Sequence, residues 1–338
     1  TLRVVLDLLT VKFLLTYSTR PIQVFGKIGL HFAAFALLLA LRSPEFKVLG
    51  ITCVNGNVTL DKVVVNTLKV VEYSDKSVPV YAGAALPLLP ERSQNAPEIH
   101  GADGLGNLDF HAPRIKAEID GAVQFIIHTL MDAEEPMDWI TLGPLTNAAL
   151  AIREEPRILP KIKTLIMMAG AVDFGNTKPM SEFNVFADPE AAKIVIDSDI
   201  PKVIVPLDPL WHGGQVNKEE IASLNKHHDL PWCEMAGKLL NRSIEMAEGS
   251  RRKYAMGKGA VAPPDLLTIA LAIDPTIGRF ENYQVFVETT GQYTRGMTMF
   301  DRRWNREFVE GQHTNQASVY LGADQIRYGQ LLLNTWLA

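Results

Sequence analysis

Hydrophobic and polar positions along the chain fall into two alternating patterns. Short runs rich in β-branched residues occur at Arg3–Leu8, Lys47–Val54, Val78–Ala82, Asp138–Leu142, Thr164–Met168 and Lys202–Leu207. Between them lie longer helical patterns at Phe32–Leu41, Leu60–Glu72, Ile119–Met131, Thr146–Arg153, Pro189–Ile196 and Lys218–Asn225. Strands that alternate with helices predict βαβ units and a mostly parallel sheet. One helix start is written out in "DPEAAKIV", with Asp188 at the N-cap, Pro189 at the first helical position and Glu190 in the first turn. After Pro231 the pattern changes to long helices, "WCEMAGKLLNRSIEMAEGSRRKYAM" and "PDLLTIALAI". Strand-like runs follow at Tyr283–Glu288 and Gly296–Phe300, then a last strand and helix from Ala317 to Leu337. No internal repeat and no Ser/Gly/Pro linker divides the chain. The pattern predicts a single α/β domain over residues 1–338, with an open, twisted, mostly parallel sheet flanked by helices and a helical and β-hairpin elaboration near the C-terminus.

Composition narrows the class of partner. The 33 Lys and Arg against 38 Asp and Glu give a net charge of −5, and no basic run stands out, which argues against nucleic acid. Two cysteines, Cys53 and Cys233, are too few for a disulfide framework and read as thiols in a reducing compartment. The most apolar stretch, His31–Leu41, is only 11 residues long. A membrane-spanning helix needs about 20, so this stretch reads as a buried helix. Asp7 interrupts the apolar run "VVLDLLTV" and no small-residue cleavage site follows, so it is a poor signal peptide. The expectation is a cytoplasmic protein with no membrane partner, whose glycosylation triplets at Asn57 and Asn241 stay bare.

Ligands of open α/β sheets bind outside the carboxyl ends of the strands, so the residues following each strand matter most. They are Asn55-Gly56-Asn57, then Gly143-Pro144-Leu145-Thr146-Asn147, then "AGAVDFGNTKPMSEFN" with Asn176, Glu182 and Asn184, and finally Leu207-Asp208. Amides and carboxylates of this kind offer the paired hydrogen-bond sites that vicinal hydroxyls need. Simpler roles compete with that reading. Asn beside Gly is turn chemistry in Asn55 and Asn57, Thr146 reads as a helix N-cap, and Asp188 reads as a cap. Glu182 and Asn184 alternate around Phe183 and would face the same way in an extended segment. Phosphate-loop, nucleophile-elbow, zinc-protease and dinucleotide motifs are all missing. His227-His228 reads as solvated surface, and Cys53 as a strand residue without a catalytic part.

Seven segments together resemble the nucleoside hydrolase family, the inosine-uridine preferring N-ribohydrolases. They are "SPEFKVLGITCVNGNVTL", "IHGADGLG", "ITLGPLTNAALAIREEPRI", "IMMAGAVDFGNTKPMSEFNVFADPEAAKIV", "VPLDP", "DLLTIALAIDP" and "TRGMTMFDRR". They run in family order from about Phe35 to the C-terminus, and the central "GN…EFN…DPEAA" is specific to the family. The resemblance implies the nucleoside hydrolase fold with its Rossmann-like core, and hydrolysis of ribonucleosides to ribose and free base in nucleoside catabolism or salvage. It also implies a Ca²⁺ ion that binds the attacking water and the ribose diol, and a homodimer or homotetramer. Through it Asp265 corresponds to a metal-ligand aspartate that also meets substrate, and Leu142 to a residue whose main-chain carbonyl binds the metal. Asn57, Asn176, Glu182 and Asn184 correspond to ribose-binding groups, and His100 to a histidine of a loop near the site. Pro264 stands where members that cleave both purine and pyrimidine nucleosides often carry a His.

The N-terminus departs from the family. Its signature is D-x-D-x-G-x-D-D followed by an apolar helix. Asp7 matches the first aspartate, but Leu9 occupies the second position, that of the proposed general base, and Phe32-Ala33-Ala34 stand where Asp-Asp-Ala is expected. Residues 8–33 are therefore atypical. Loss of these carboxylates predicts weak Ca²⁺ binding and, with the general base gone, a further rate loss of about 10²–10⁴. Three readings follow: a family hydrolase in which a mis-assigned exon stands in place of the signature loop, a catalytically dead nucleoside- or ribose-binding pseudoenzyme, and an enzyme with a metal-free arrangement.

Overall fold

A computed structural model of the chain describes residues 2–8, 30–93, 104–248, 260–303 and 315–337. Nine strands form one sheet: β1 (Leu2–Leu8), β2 (Phe46–Cys53), β3 (Val80–Ala82), β4 (Met137–Thr141), β5 (Ile162–Met168), β6 (Lys202–Val205), β7 (Gly278–Val287), β8 (Thr298–Phe300) and β9 (Gln316–Ala323). Their order is β3-β2-β1-β4-β5-β6-β9-β7-β8. Every pairing is parallel except those of β7, which runs antiparallel to β9 and β8. The predicted α/β class with a mostly parallel sheet is the observed one. The C-terminal strands are not an appendage, however. They continue the same sheet through the β6–β9 pair.

The helices are α1 (Leu30–Arg42), α2 (Leu60–Tyr73), α3 (Ala122–Met131), α4 (Thr146–Glu154), α5 (Phe183–Ala187), α6 (Pro189–Ile196), α7 (Lys218–Asn225), α8 (Pro231–Glu248), α9 (Pro264–Ile273) and α10 (Gln325–Trp336). The predicted bounds of α6, α7 and α9 coincide with the observed ones. Helix α3 starts later than its pattern suggests, because Gly121 takes the N-cap and Ile119 projects into solvent. Helix α8 is described to Glu248, and the rest of its predicted span lies outside the described residues.

Two apolar layers enclose the sheet. One is centred on α1, whose residues Phe32 to Leu41 are all buried and pack with α9, α8 and the apolar face of α2. A helix apolar all round has no solvent face to offer, which is why α1 becomes the central helix of its layer. The other layer packs α3, α4 and α6 against Trp139, Leu165, Met167 and Val285. No helix among the described residues is long and apolar enough to cross a membrane.

Candidate active site

Strand β1 lies between β2 and β4, so successive strands run outward in opposite directions from it. At such a switch point the loops after neighbouring strands diverge and leave a crevice at the carboxyl ends. Asp7 is the penultimate residue of β1, in register with Thr52 of β2 and Thr141 of β4. The Thr141 side chain is buried there and its hydroxyl has no partner among the described residues.

The neighbouring strand ends supply the rest. After β2, Asn57 is 0% exposed, and neither its amide oxygen nor its nitrogen has a hydrogen-bond partner among the described residues. An amide buried with both ends unsatisfied costs about 1–3 kcal/mol per missing bond, so turn chemistry does not account for Asn57. Asn147 locks the adjacent strand ends together: its Nδ2 donates to the Cys53 carbonyl at 2.9 Å and its Oδ1 accepts from the Ala84 N–H at 2.8 Å. The turn allows this approach because a Cβ on Gly83 would lie 2.4 Å from that amide oxygen.

The loop after β5 carries the greatest density of polar groups. The extended segment expected around Phe183 is instead the start of a helix, with Glu182 as the N-cap of α5. Its buried carboxylate accepts from the N–H groups of Asn184 (2.8 Å), Gly170 (3.0 Å) and Val185 (3.3 Å). Burial nevertheless pushes the Glu182 carboxyl up to about 7, despite these donors. Asn184 is also buried. Its Nδ2 donates to the carbonyls of Met168 (3.1 Å) and Leu142 (3.3 Å), bridging the ends of β5 and β4, while its Oδ1 has no partner among the described residues. Asn176 is half-buried and its Oδ1 accepts from the Phe183 N–H at 2.9 Å, so its oxygen serves the start of α5.

Asp265 comes from the opposite side, in the first turn of α9. It is 3% exposed. Burial first, and the negative charge of Glu182 second, hold its carboxyl well above the usual range. A buried carboxyl raised by the charge of a neighbouring carboxylate favours an electropositive guest. His100 and Leu9 lie outside the described residues. Phe32 and Ala33 belong to the apolar layer around α1, 3% and 5% exposed.

Three features sit differently from the sequence reading or add to it. Thr146 is the first residue of α4, not its cap, and its hydroxyl donates to Asp188 at 2.7 Å. Asp188 caps α6 through the Ala191 N–H, as expected, but also receives the Leu88 N–H, so it pins the β3 loop to the site wall. Asp208 is buried and accepts from the Val172 and Asp173 N–H groups, bracing the β5 loop from below β6. The motif "VPLDP" held that signal, though nothing in it named the partner. An open cleft of about 320 Å³ lined by His212, Arg279 and Asp324 contains none of the predicted site residues. Among the described residues no group of three or more His, Cys, Asp or Glu could hold a metal.

The profile described as "Inosine-uridine preferring nucleoside hydrolase" matches residues 28–330. The chain is 43% identical over 271 residues to "Pyrimidine-specific ribonucleoside hydrolase RihB" of Escherichia coli O139:H28, covering 80% of this chain and 84% of that protein. RihB of Shigella sonnei is 35% identical over the same length and coverage. Among solved structures, "Purine-Preferring Ribonucleoside Hydrolase from Gardnerella vaginalis" superposes with a TM-score of 0.82 at 25% identity, covering 99% of this chain and 100% of that one. "Plant nucleoside hydrolase - PpNRh1 enzyme" gives the same TM-score at 24% identity, covering 99% of each chain, and shares the fold. With nine-tenths of its length matched by the profile and the strand-end crevice in place, the chain belongs to the inosine-uridine preferring nucleoside hydrolase family.

Proposed function

We propose that the chain is a nucleoside N-ribohydrolase that binds the ribosyl group at the β1–β4 switch point, with turnover weakened by its altered N-terminus. The observation that carries this reading is the set of buried polar atoms at the strand ends that have no partner among the described residues: both ends of Asn57, the Thr141 hydroxyl and Oδ1 of Asn184. Hydroxyl-rich ribose satisfies such atoms, since a vicinal diol both donates and accepts. The amides of Asn57, Asn176 and Asn184 and the Glu182 carboxylate hold the diol. As the N-glycosidic bond breaks, positive charge grows on the sugar, and Asp265 with Glu182 stabilises it in a site shielded from water. Asp7 at the end of β1 is the signature carboxylate that remains beside the reacting face, the general-base position being held by Leu9, and His100 stands on the loop beside the site. The unbroken nine-stranded sheet supports reading the chain as one catalytic unit.

A Ca²⁺ ion takes about six to eight oxygen ligands. Among the described residues the resemblance offers Asp265, the Leu142 carbonyl and Asp7, while Phe32 and Ala33 contribute only apolar surface. This set does not fit a tightly held Ca²⁺ ion. The same observation favours a second reading, a nucleoside-binding protein that does not turn over.

Chromatography of inosine, uridine, adenosine and cytidine incubations, with Ca²⁺ and with EDTA, tests both. Release of base that EDTA does not abolish, about 10²–10⁴ slower than in an intact family enzyme, is expected. Fast release abolished by EDTA would mean a complete metal site forms and would overturn the impairment. Saturable binding with no release would leave the second reading standing.

A further inference from the structure

Between β7 and β8 the chain turns back at residues 288–297 and lies across the β5 loop that carries Glu182 and Asn184. Ser181 and Met297 form an isolated antiparallel bridge, and the Ser181 hydroxyl donates to the Arg295 carbonyl at 3.0 Å. Arg295 holds this turn in place through a two-pronged ion pair with Glu190 of α6. Gly296, at φ +81, passes so close to Phe186 that a Cβ would lie 2.7 Å from its Cα. The innermost contact is Thr298. It is 2% exposed, and its hydroxyl meets both the N–H (3.1 Å) and the carbonyl (3.3 Å) of Ala171. The preceding residue, Gly170, has φ +81 and no room for a Cβ, which would sit 2.6 Å from the Thr298 hydroxyl. The Gly170 N–H is one of the three donors to Glu182, and its carbonyl accepts from the Leu207 N–H just past the end of β6.

We propose that Thr298 is a positioning residue for the ribosyl site: its hydroxyl fixes the Gly170–Ala171 turn, and that turn aims the Glu182 carboxylate. Thr298 reaches the Glu182 carboxylate through a hydrogen bond to Ala171, the covalent link to Gly170 and the hydrogen bond from the Gly170 N–H. A hydroxyl that satisfies both polar groups of a single residue acts as a local substitute for a strand partner and leaves that peptide little freedom to rotate. The left-handed Gly170 has more rotational freedom than any other residue type would have there, so the constraint has to come from outside the turn. The proposal rests on reading Glu182 and Asn184 as ribosyl-binding groups.

Two near-isosteric variants separate the hydroxyl from the bulk. Thr298→Val keeps the shape and loses the hydroxyl, and Thr298→Ser keeps the hydroxyl and loses the methyl. Each full-length variant is compared with the unaltered chain by amide hydrogen exchange over residues 168–186 and by titration with inosine, uridine and D-ribose. In Thr298→Val, faster exchange at Gly170 and Ala171 is expected, with affinity weakened by about three- to tenfold, the net worth of one buried hydrogen bond. Thr298→Ser is expected to stay within about twofold on both measures. If Ser loses as much as Val, or Val exchanges and binds like the unaltered chain, Thr298 is a packing residue and the proposal falls. If the unaltered chain binds none of the three probes, the ribosyl reading fails, while the exchange comparison still decides whether Thr298 holds the turn.

Discussion

A carboxylate taken out of water costs the fold stability, and Asp265, 3% exposed with its carboxyl held well above the usual range by burial and by the charge of Glu182, is such a group. Asp265→Asn removes the ionisation and the repulsion from Glu182 while keeping the shape. The free protein is expected to gain about 1–3 kcal/mol in urea denaturation and to lose inosine affinity. A loss of stability would mean that Asp265 already has a partner in the free protein. Asn57 makes the same point in a neutral residue. In the sequence it sits in "NGN" and looks like turn chemistry, because local pattern says nothing about what surrounds a turn. Only the zero exposure of both amide ends marks it as a site residue.

Among the elements, α1 was the most legible and α5 the least. A helix apolar on every side has to be central, and α1 is. Its first turn carries Phe32, whose ring lies 6.2 Å from that of Phe35 inside the apolar layer. Phe32→Ala is expected to cost about 3–5 kcal/mol, read from the shift of the urea midpoint at constant m-value. An acid at Phe32 would cost more, because the core around it is already packed. Helix α5 has five residues, too few for a 3.6-residue period to show. Its N-cap is a Glu, where Ser, Thr, Asp or Asn would have given a signal. Alternation around Phe183 therefore suggested an extended segment, whereas the Glu182 carboxylate instead caps the helix by accepting from the Asn184 N–H.

For the whole molecule, the buried Glu182 makes stability depend on pH. Its carboxyl moves from the usual 4.5 to about 7 on folding. Below about pH 4.5 both states hold the proton; between there and about 7 only the folded state does, so stability falls as pH rises and levels off above 7. The whole effect amounts to about 3 kcal/mol at 1.36 kcal/mol per pH unit. Asp265, raised for the same reason, acts in the same direction. Urea midpoints measured from pH 4 to 8 are expected to decline through this window in the unaltered chain and to flatten in Glu182→Gln. An equal decline in both would assign the slope to other groups. The sequence by itself determined the alternation of strands and helices, the buried α1, the family, and which residue types stand at the strand ends, because periodicity, caps and motifs are local and survive in one dimension. Tertiary structure alone decided that β1 sits between β2 and β4, that β9 joins the C-terminal strands to the same sheet, and that Thr298 lies on the loop of Glu182. Strand order and burial depend on pairings between residues more than a hundred positions apart, and no local pattern of side chains specifies which distant partner a polar group will meet.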